Sequence, residues 1–137
     1  MMAQMQNMLD FPPTPKLNVY GKLIPSKATV QALKGQELFF GKAKCAECHQ
    51  ARFYLDNKMH VLQVQQFCKP VTVRNHYDVA AGTIKTFTLR GIKDVPPYLH
   101  DGRLMTLDDT VVFFDIVLGM KLNEDERAVL VAFMQCL

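Results

Sequence analysis

The spacing of apolar residues predicts a first helix over residues 28–40. Gly41 follows this segment as a stop signal, and Ser26 ahead of it is a candidate N-cap. The apolar face of this predicted helix consists of Val30, Leu33, Leu38, Phe39 and Phe40.

Two further helices are predicted near the end of the chain, each from a capping motif followed by apolar residues. Thr106 and Asp109 have the hydroxyl-x-x-acid pattern of a capping box, and the apolar run after them stops at Gly119, so we predict a helix over residues 107–118. The segment Asn123-Glu124-Asp125-Glu126 repeats the capping pattern. It precedes residues at helical spacings of three, four and seven, namely Leu130, Phe133, Met134 and Leu137.

Residues 50–105 show no sustained periodicity, and turn-forming residues interrupt them repeatedly. The breakers are Lys69-Pro70, Gly82, Pro96-Pro97 and Asp101-Gly102. A loop region of this length is uncommon in a compact domain unless something other than regular structure holds it, and a large buried ligand would do so. We therefore predict an all-α fold, a small helical domain with long loops that wraps one large ligand.

Residues 1–25 contain closely spaced prolines, which withhold backbone donors and favour extended structure. We interpret them as a linker or a wrapping arm, and residues 26–137 as the domain itself. Within the predicted first helix, Gly35 lies one turn before Phe39. A small residue followed by an aromatic one at this spacing would let the first helix cross closely over the C-terminal helix. Alternatively, Gly35 is merely tolerated within the helix at a cost of about 1 kcal/mol.

The composition narrows the class of protein. The 137 residues are 49% apolar, which is enough for one domain with a real core, and no stretch approaches the roughly 20 apolar residues of a membrane span. The N-terminus lacks the order of charges and apolar residues typical of a secretory signal. A net charge of +3 with scattered basic residues argues against nucleic-acid binding.

The main chemical signal is Cys45-x-x-Cys48-His49, for which we considered three functions. A structural zinc site needs four ligands, and the other two would have to come from residues far apart in the sequence: His60, Cys68, His76, His100 and Cys136. A thioredoxin-like dithiol is expected after a strand, whereas this motif follows a predicted helix. Outside the motif, Cys68 and Cys136 remain as free thiols or one bridge.

Covalent haem attachment gives every residue of the motif a function. Two thiols separated by two residues can add to the two vinyl groups of one porphyrin, and the adjacent histidine then lies beneath the iron as its proximal ligand. The preceding helix and the loop-rich middle are the context that such a match requires. We therefore favour one haem c, bound through Cys45 and Cys48, with His49 as iron ligand. The predicted fold is then a small, all-α, cytochrome c-like helical domain whose long loops wrap one haem.

The order of three motifs extends this prediction to a family. Cys-x-x-Cys-His is followed by Thr-Leu-Arg-Gly and then by Pro-Tyr-x-His-Asp-Gly, within "TFTLRGIKDVPPYLHDGRLMTLDDTVVFF" and before "LNEDERAVLVAFMQCL". From about residue 12 onwards the chain resembles the C-terminal haem domain of the bacterial di-haem cytochrome c peroxidase and MauG-like superfamily.

The resemblance implies a function and a setting. Members usually have two haem domains, the N-terminal one binding peroxide and the C-terminal one passing electrons to it. This chain has a single Cys-x-x-Cys-His, so it is expected to transfer electrons to a second haem domain or a redox partner protein in the periplasm, and its first 25 residues would be the remnant of an interdomain linker. The alternative is an enzyme in which this haem itself reduces peroxide at an open distal site.

The resemblance also bears on the distal side of the iron. Where the family has a methionine or a tyrosine as distal ligand, the motifs place Phe114, which cannot ligate iron. Met120, Met105 and His100 are the other candidates, although methionine is also a common core filler, and an iron with no protein ligand on this side is the remaining alternative.

Several other residues are candidates for the haem surroundings. Arg90 is suited to pair with a haem propionate, although a surface guanidinium is an equal alternative, and Tyr98 and His100 are expected to pack or hydrogen-bond near the haem edge. We do not carry the family's calcium ion over, because Phe87 occupies a position where proline is common and the partner domain is absent. Lys42 and Lys44 can attract an acidic redox partner or simply be solvated.

Overall fold

The computed structural model describes residues 14–62, 71–73, 76–78, 83–99 and 101–137. The α-helices of this part of the chain are α1 (Val30–Phe40), α2 (Leu107–Leu118) and α3 (Glu124–Met134). Two antiparallel ribbons pair β1 (Met59–His60) with β4 (Ile84–Lys85), and β2 (Val71–Val73) with β3 (His76–Asp78). The predicted helical fold is confirmed, with these short ribbons lying in the region predicted as loops. None of the helices within the described ranges is long and apolar enough to cross a membrane.

The two C-terminal helices begin at complete capping boxes, as predicted. The Thr106 side chain accepts a hydrogen bond from the Asp109 N–H, and the Asp109 carboxylate accepts one from the Thr106 N–H. Asn123 and Glu126 exchange the same pair of bonds at the start of α3. At its other end, α2 stops at Gly119, whose φ of 62° is left-handed and therefore favours glycine.

The predicted cap of α1 is wrong by three residues. Ser26 lies in a 3-10 turn (Pro25–Lys27), and the N-cap is Thr29, whose hydroxyl accepts a hydrogen bond from the Ala32 N–H at 3.2 Å. Both residue types can cap a helix, so the sequence did not separate them. The proline of the 3-10 turn moves the helix start to Val30.

Helices α1 and α3 cross at Gly35, which confirms the close-crossing interpretation. A Cβ atom at position 35 would lie 1.9 Å from the Val129 carbonyl oxygen and 2.8 Å from Cβ of Phe133. One turn further along α1, the fully buried Phe39 ring meets the Phe133 ring edge-to-face, with centroids 5.1 Å apart. Only glycine permits this approach of the two helices.

Tyr54 extends the aromatic core towards the Cys-x-x-Cys-His motif. Its ring is fully buried and lies 5.6 Å from the Phe39 ring and 6.1 Å from the Phe133 ring. The helix crossing and the loop that follows the motif therefore share one core.

The segment at residues 14–24 packs against the helical body. Leu17 and Leu23 form an antiparallel bridge, and the Leu23 N–H donates to the Gln36 side chain on α1 at 2.7 Å. Thr14 accepts a hydrogen bond from the Arg90 guanidinium at 2.8 Å. Residues 14–24 are therefore held against the helical body by hydrogen bonds.

Candidate functional site

The Cys45-x-x-Cys48-His49 motif forms a tight turn shortly after α1. Lys44 adopts a left-handed conformation with φ of 53° and leads into a 3-10 turn (Cys45–Glu47). The His49 N–H then donates to the Cys45 carbonyl at 2.9 Å. Two thiols and one imidazole are thus carried by a single hydrogen-bonded turn.

The orientation of His49 is fixed by its Nδ1 atom, which lies 3.0 Å from the Tyr54 carbonyl oxygen. A carbonyl can only accept, so Nδ1 carries the proton and donates, which leaves the lone pair on Nε2. Burial lowers the pKa of His49, while hydrogen bonds to the backbone of Tyr54 and Phe87 and the charge of Asp56 act in the opposite direction. The net result is a neutral imidazole, the form that ligates metals.

Both motif cysteines are free thiols. Burial raises the pKa of Cys45 to about 12, and its S–H lies 3.5 Å from the Ala43 carbonyl. Burial also raises the pKa of Cys48, with the charges of Asp56 and Glu47 adding to the effect. The two thiols are therefore protonated at neutral pH and not joined to one another.

Tyr54 holds the carbonyl that His49 uses. Its backbone is left-handed with φ of 57°, which is uncommon for a bulky residue, and its hydroxyl donates to the carbonyl of the buried Gly21. The same Tyr54 carbonyl also accepts a bond from the Leu89 N–H at 3.3 Å. Ring packing and the Gly21 bond together fix this conformation, so Tyr54 is the structural support of the imidazole.

A partly buried Asp56–His60 pair lies next to the motif and was missed by sequence reasoning, which gave His60 no role. The Asp56 side chain is 2% exposed, and its carboxylate lies 2.6 Å from Nε2 of His60. It also accepts a bond from the Lys58 N–H at 2.9 Å and one from the Thr86 side chain. One ligand atom each from Cys48, Asp56 and His60 lies within 4.8 Å of the others. The available signal was the presence of His60 shortly after the motif, which does not by itself indicate this convergence.

The candidates for the distal side of the iron lie in or beside α2. Phe114 is half-buried and Met120 packs against the hydrophobic core, whereas Met105 is 65% exposed. His100 lies outside the described residues, as do Cys68 and the side chain of His76. The distal role of Met120 stays a prediction.

Arg90 and Tyr98 are both tied to the protein framework. The Arg90 guanidinium bonds to Thr14, and the buried Tyr98 donates its O–H to the Ile92 carbonyl at 3.1 Å. The position of Tyr98 and Arg90 near a haem stays a prediction. Lys42 pairs with Glu126 at 2.6 Å, so the motif loop is tied to the cap of α3.

The residues of the motif fit a covalently bound haem on their own chemistry. His49 has one nitrogen committed to a carbonyl and the other left as an acceptor, which is the usual state of a metal-ligating histidine. The two thiols needed for thioether bonds are unpaired with one another in the same turn.

Comparison with known proteins places this site in a family context. The cytochrome-c peroxidase IdrP2 of Pseudomonas sp. (strain SCT) is 29% identical, over 77% of this chain and 39% of its own length. The cytochrome-c peroxidase IdrP1 of Denitromonas iodatirespirans is 27% identical, over 80% and 40%. The methylamine utilization protein MauG of Methylorubrum extorquens is 30% identical, over 77% of this chain and 34% of its own length. The chain is homologous to the cytochrome-c peroxidases and MauG.

The predicted resemblance is thereby confirmed, although no family model matches the chain. The chain spans about two fifths of the length of the peroxidases that it matches. A solved structure of hydrazine synthase from Kuenenia stuttgartiensis has the same fold, with a TM-score of 0.64 and 23% identity over 95% of this chain and 52% of that one.

Proposed function

We propose that the chain binds one haem c through thioether bonds from Cys45 and Cys48, with His49 as the proximal iron ligand, and that it transfers single electrons. When bound, the haem supplies the one-electron redox change. The chain attaches the haem at two points, orients the imidazole, and excludes water from the proximal side with the core around Tyr54 and Phe39.

The state of His49 is the observation that carries this proposal. A histidine whose Nδ1–H is bonded to a backbone carbonyl has the outer-shell contact typical of a metal-ligating imidazole, and the bond holds the ring in one orientation. Two free thiols lie in the same turn. A structural zinc site would require two further ligands near both cysteines, whereas the cluster found within the described ranges contains Cys48 without Cys45.

The proposed setting follows from the matched share of the relatives. Because the chain covers about two fifths of proteins named cytochrome-c peroxidase, we propose that it acts with a second haem domain or a separate redox protein. Attachment of haem c normally occurs outside the cytoplasm, so we propose the periplasm as its location.

The test is the covalent state of protein produced with a haem-attachment system. Intact mass is expected to rise by one haem, and the pyridine haemochrome spectrum is expected to report two thioethers. Cys45→Ala and Cys48→Ala should each leave one thioether and shift that spectrum, while Cys136→Ala, which alters a buried thiol outside the motif, should not. A mass equal to the bare polypeptide would contradict the proposal.

A second candidate function is peroxide reduction at this haem itself. It is favoured by Phe114, which replaces the family's ligand, and by Met105, which is exposed. A thioether on the iron keeps it six-coordinate and suits electron transfer, whereas an open position admits peroxide.

The optical spectrum of the ferric protein distinguishes these two functions. A low-spin spectrum with a thioether charge-transfer band that disappears in Met120→Ala supports the electron carrier. A high-spin spectrum unchanged in Met120→Ala, together with turnover of peroxide, supports the enzyme. Met105→Ala tests the other methionine beside α2, which is 65% exposed, and the band should survive this substitution if Met120 is the ligand.

A further inference from the structure

Three side chains that can ligate a metal converge next to the Cys-x-x-Cys-His motif, and only one of them belongs to the motif. They are the thiol of Cys48, the carboxylate of Asp56 and the imidazole of His60, and one ligand atom from each lies within 4.8 Å of the other two. Thiolate, carboxylate and imidazole are the three ligand types that zinc takes from proteins. We propose that the chain, while Cys48 carries a free thiol, binds one zinc ion at Cys48, Asp56 and His60.

The backbone around the cluster holds these ligands in place. His60 lies on β1, where it pairs with Ile84 of β4, so its position is fixed by a strand from a distant part of the sequence. The Lys58 N–H and the Thr86 side chain both donate to the Asp56 carboxylate. Hydrogen bonds of this kind orient a carboxylate ligand from behind and increase metal affinity.

Charge and burial favour a cation at this point. The Asp56 side chain is 2% exposed, so its negative charge is poorly screened by water. A divalent cation offsets this charge more fully than His60 alone. Cys48, Asp56 and His60 are all partly buried rather than scattered on the surface.

The geometry needs only a small adjustment. Zinc ligand atoms lie about 2.0–2.3 Å from the ion, so neighbouring ligand atoms are roughly 3–4 Å apart. The Asp56–His60 contact of 2.6 Å would open slightly as the ion replaces the hydrogen bond, and the Cys48 sulfur would move inwards. Three protein ligands leave one position for water, as in open zinc sites.

This site and the haem use the same sulfur, so they exclude one another. A thioether has no thiolate to offer, and we expect zinc binding to be lost once Cys48 is joined to haem. Conversely, zinc held by Cys48 is expected to slow haem attachment at that residue. The inference does not depend on the proposed function, since the three side chains converge in the haem-free chain.

The test is a titration of the haem-free full chain with Co²⁺, followed by displacement with Zn²⁺. One equivalent of Co²⁺ is expected to produce a thiolate-to-cobalt charge-transfer band that Zn²⁺ removes. Cys48→Ser should abolish the band, and His60→Gln should weaken Zn²⁺ binding at least about tenfold. Cys45→Ser is the matched control, because this neighbouring thiol lies outside the cluster and should leave the affinity unchanged.

Any of three outcomes would overturn the proposal. The first is a cobalt band that survives Cys48→Ser, and the second is a Zn²⁺ affinity of His60→Gln within about twofold of wild type. The third is a loss of Zn²⁺ affinity in Cys45→Ser equal to that in Cys48→Ser, which would place the metal on the two motif cysteines. Circular dichroism checks that each variant keeps its helices. The haem proposal is read separately from the mass of haem-loaded protein, so failure of one leaves the other intact.

Discussion

The orientation of His49 depends on the side chain of Tyr54, which is the clearest single-residue effect in the molecule. The Tyr54 carbonyl accepts the bond from Nδ1 of His49, and the Tyr54 hydroxyl is bonded to the buried Gly21 carbonyl. Tyr54 therefore links the segment at residues 14–24 to the imidazole of His49 through its own backbone.

We predict that Tyr54→Phe lowers the free energy of unfolding by about 1–2 kcal/mol, because it leaves the buried Gly21 carbonyl without its donor while keeping the ring in place. Urea denaturation measures this loss. Tyr20→Phe is the control, since Tyr20 is 76% exposed, and it should change the free energy of unfolding by less than about 0.5 kcal/mol. Equal effects of the two substitutions would contradict the role given to Tyr54.

Asp56 makes the stability of the protein depend on pH. Burial acts to raise its pKa, but hydrogen bonds from Lys58, Thr86 and His60 and the charge of His60 outweigh it, so the pKa of Asp56 lies well below its ordinary value of 3.8. A carboxyl group with a depressed pKa in the folded state contributes stability above its unfolded pKa and loses it as the pH falls towards the folded pKa.

Asp56→Asn should therefore flatten the acid limb of the stability curve. Urea denaturation at a series of pH values between about 7 and 3 is expected to show a smaller decrease in unfolding free energy for the variant below about pH 4. Asp108→Asn alters an exposed carboxylate and serves as the comparison. Parallel curves for wild type and Asp56→Asn would refute the assignment.

At the level of residues, the sequence predicted a site whose residues are adjacent in the chain. It did not predict which distant residues the fold brings together. Cys45, Cys48 and His49 are adjacent, so their grouping needs no knowledge of the fold. Asp56 meets Thr86, and His60 pairs with Ile84, only because β1 pairs with β4, which is separated from it by more than twenty residues. No local pattern encodes that pairing.

Among the secondary-structure elements, α1 is capped by Thr29 and not by the predicted cap Ser26, and substitutions can test this. Thr29→Ala removes the side chain that accepts from the Ala32 N–H and should lower the free energy of unfolding by about 0.5–2 kcal/mol. Ser26→Ala alters the cap favoured by the sequence and should change it by less than about 0.5 kcal/mol. Thermal or urea unfolding of the two variants decides between the caps, and a larger loss for Ser26→Ala would reverse the correction.

Gly35 tests the crossing of α1 and α3. Helix propensity alone predicts that Gly35→Ala stabilises by about 1 kcal/mol, whereas the added methyl group would lie 1.9 Å from the Val129 carbonyl oxygen. The clash is with backbone, which cannot move aside without separating the helices, so we expect a net loss of about 1–3 kcal/mol in unfolding free energy. Lys34→Ala, an exposed neighbour on the same helix, controls for propensity. A stabilising Gly35→Ala would show that the helices are further apart.

The helices were predicted well because their signals are local. Both capping boxes lie within four residues, and the predicted bounds of 107–118 match α2. The ribbons were missed because strands of two or three residues carry too little alternation to indicate a strand, and because their pairing is set by contacts elsewhere in the chain.

For the molecule as a whole, the polypeptide leaves many large apolar side chains in contact with water. They include Met59, Val61 and Phe87 near the motif, which are 57%, 62% and 72% exposed. Single exposed apolar side chains are common on proteins, so it is the proposed function that leads us to expect a haem to cover part of this surface. A haem has two broad apolar faces, and the proposed function supplies one such covering group.

Haem attachment is therefore expected to stabilise the folded chain rather than merely add a cofactor to it. At about 25 cal/mol per Å² of apolar surface, covering 100 Å² contributes roughly 2.5 kcal/mol, so the haem-loaded chain should have an unfolding free energy several kcal/mol above that of the haem-free chain and should bind less of an apolar dye. His49→Ala in the haem-loaded protein keeps both thioethers and removes only the iron ligand, so the part of the gain that survives in this variant is due to burial. If the haem-free and haem-loaded chains unfold at the same urea concentration and bind the dye equally, the haem does not complete this core, and the exposed side chains need another explanation.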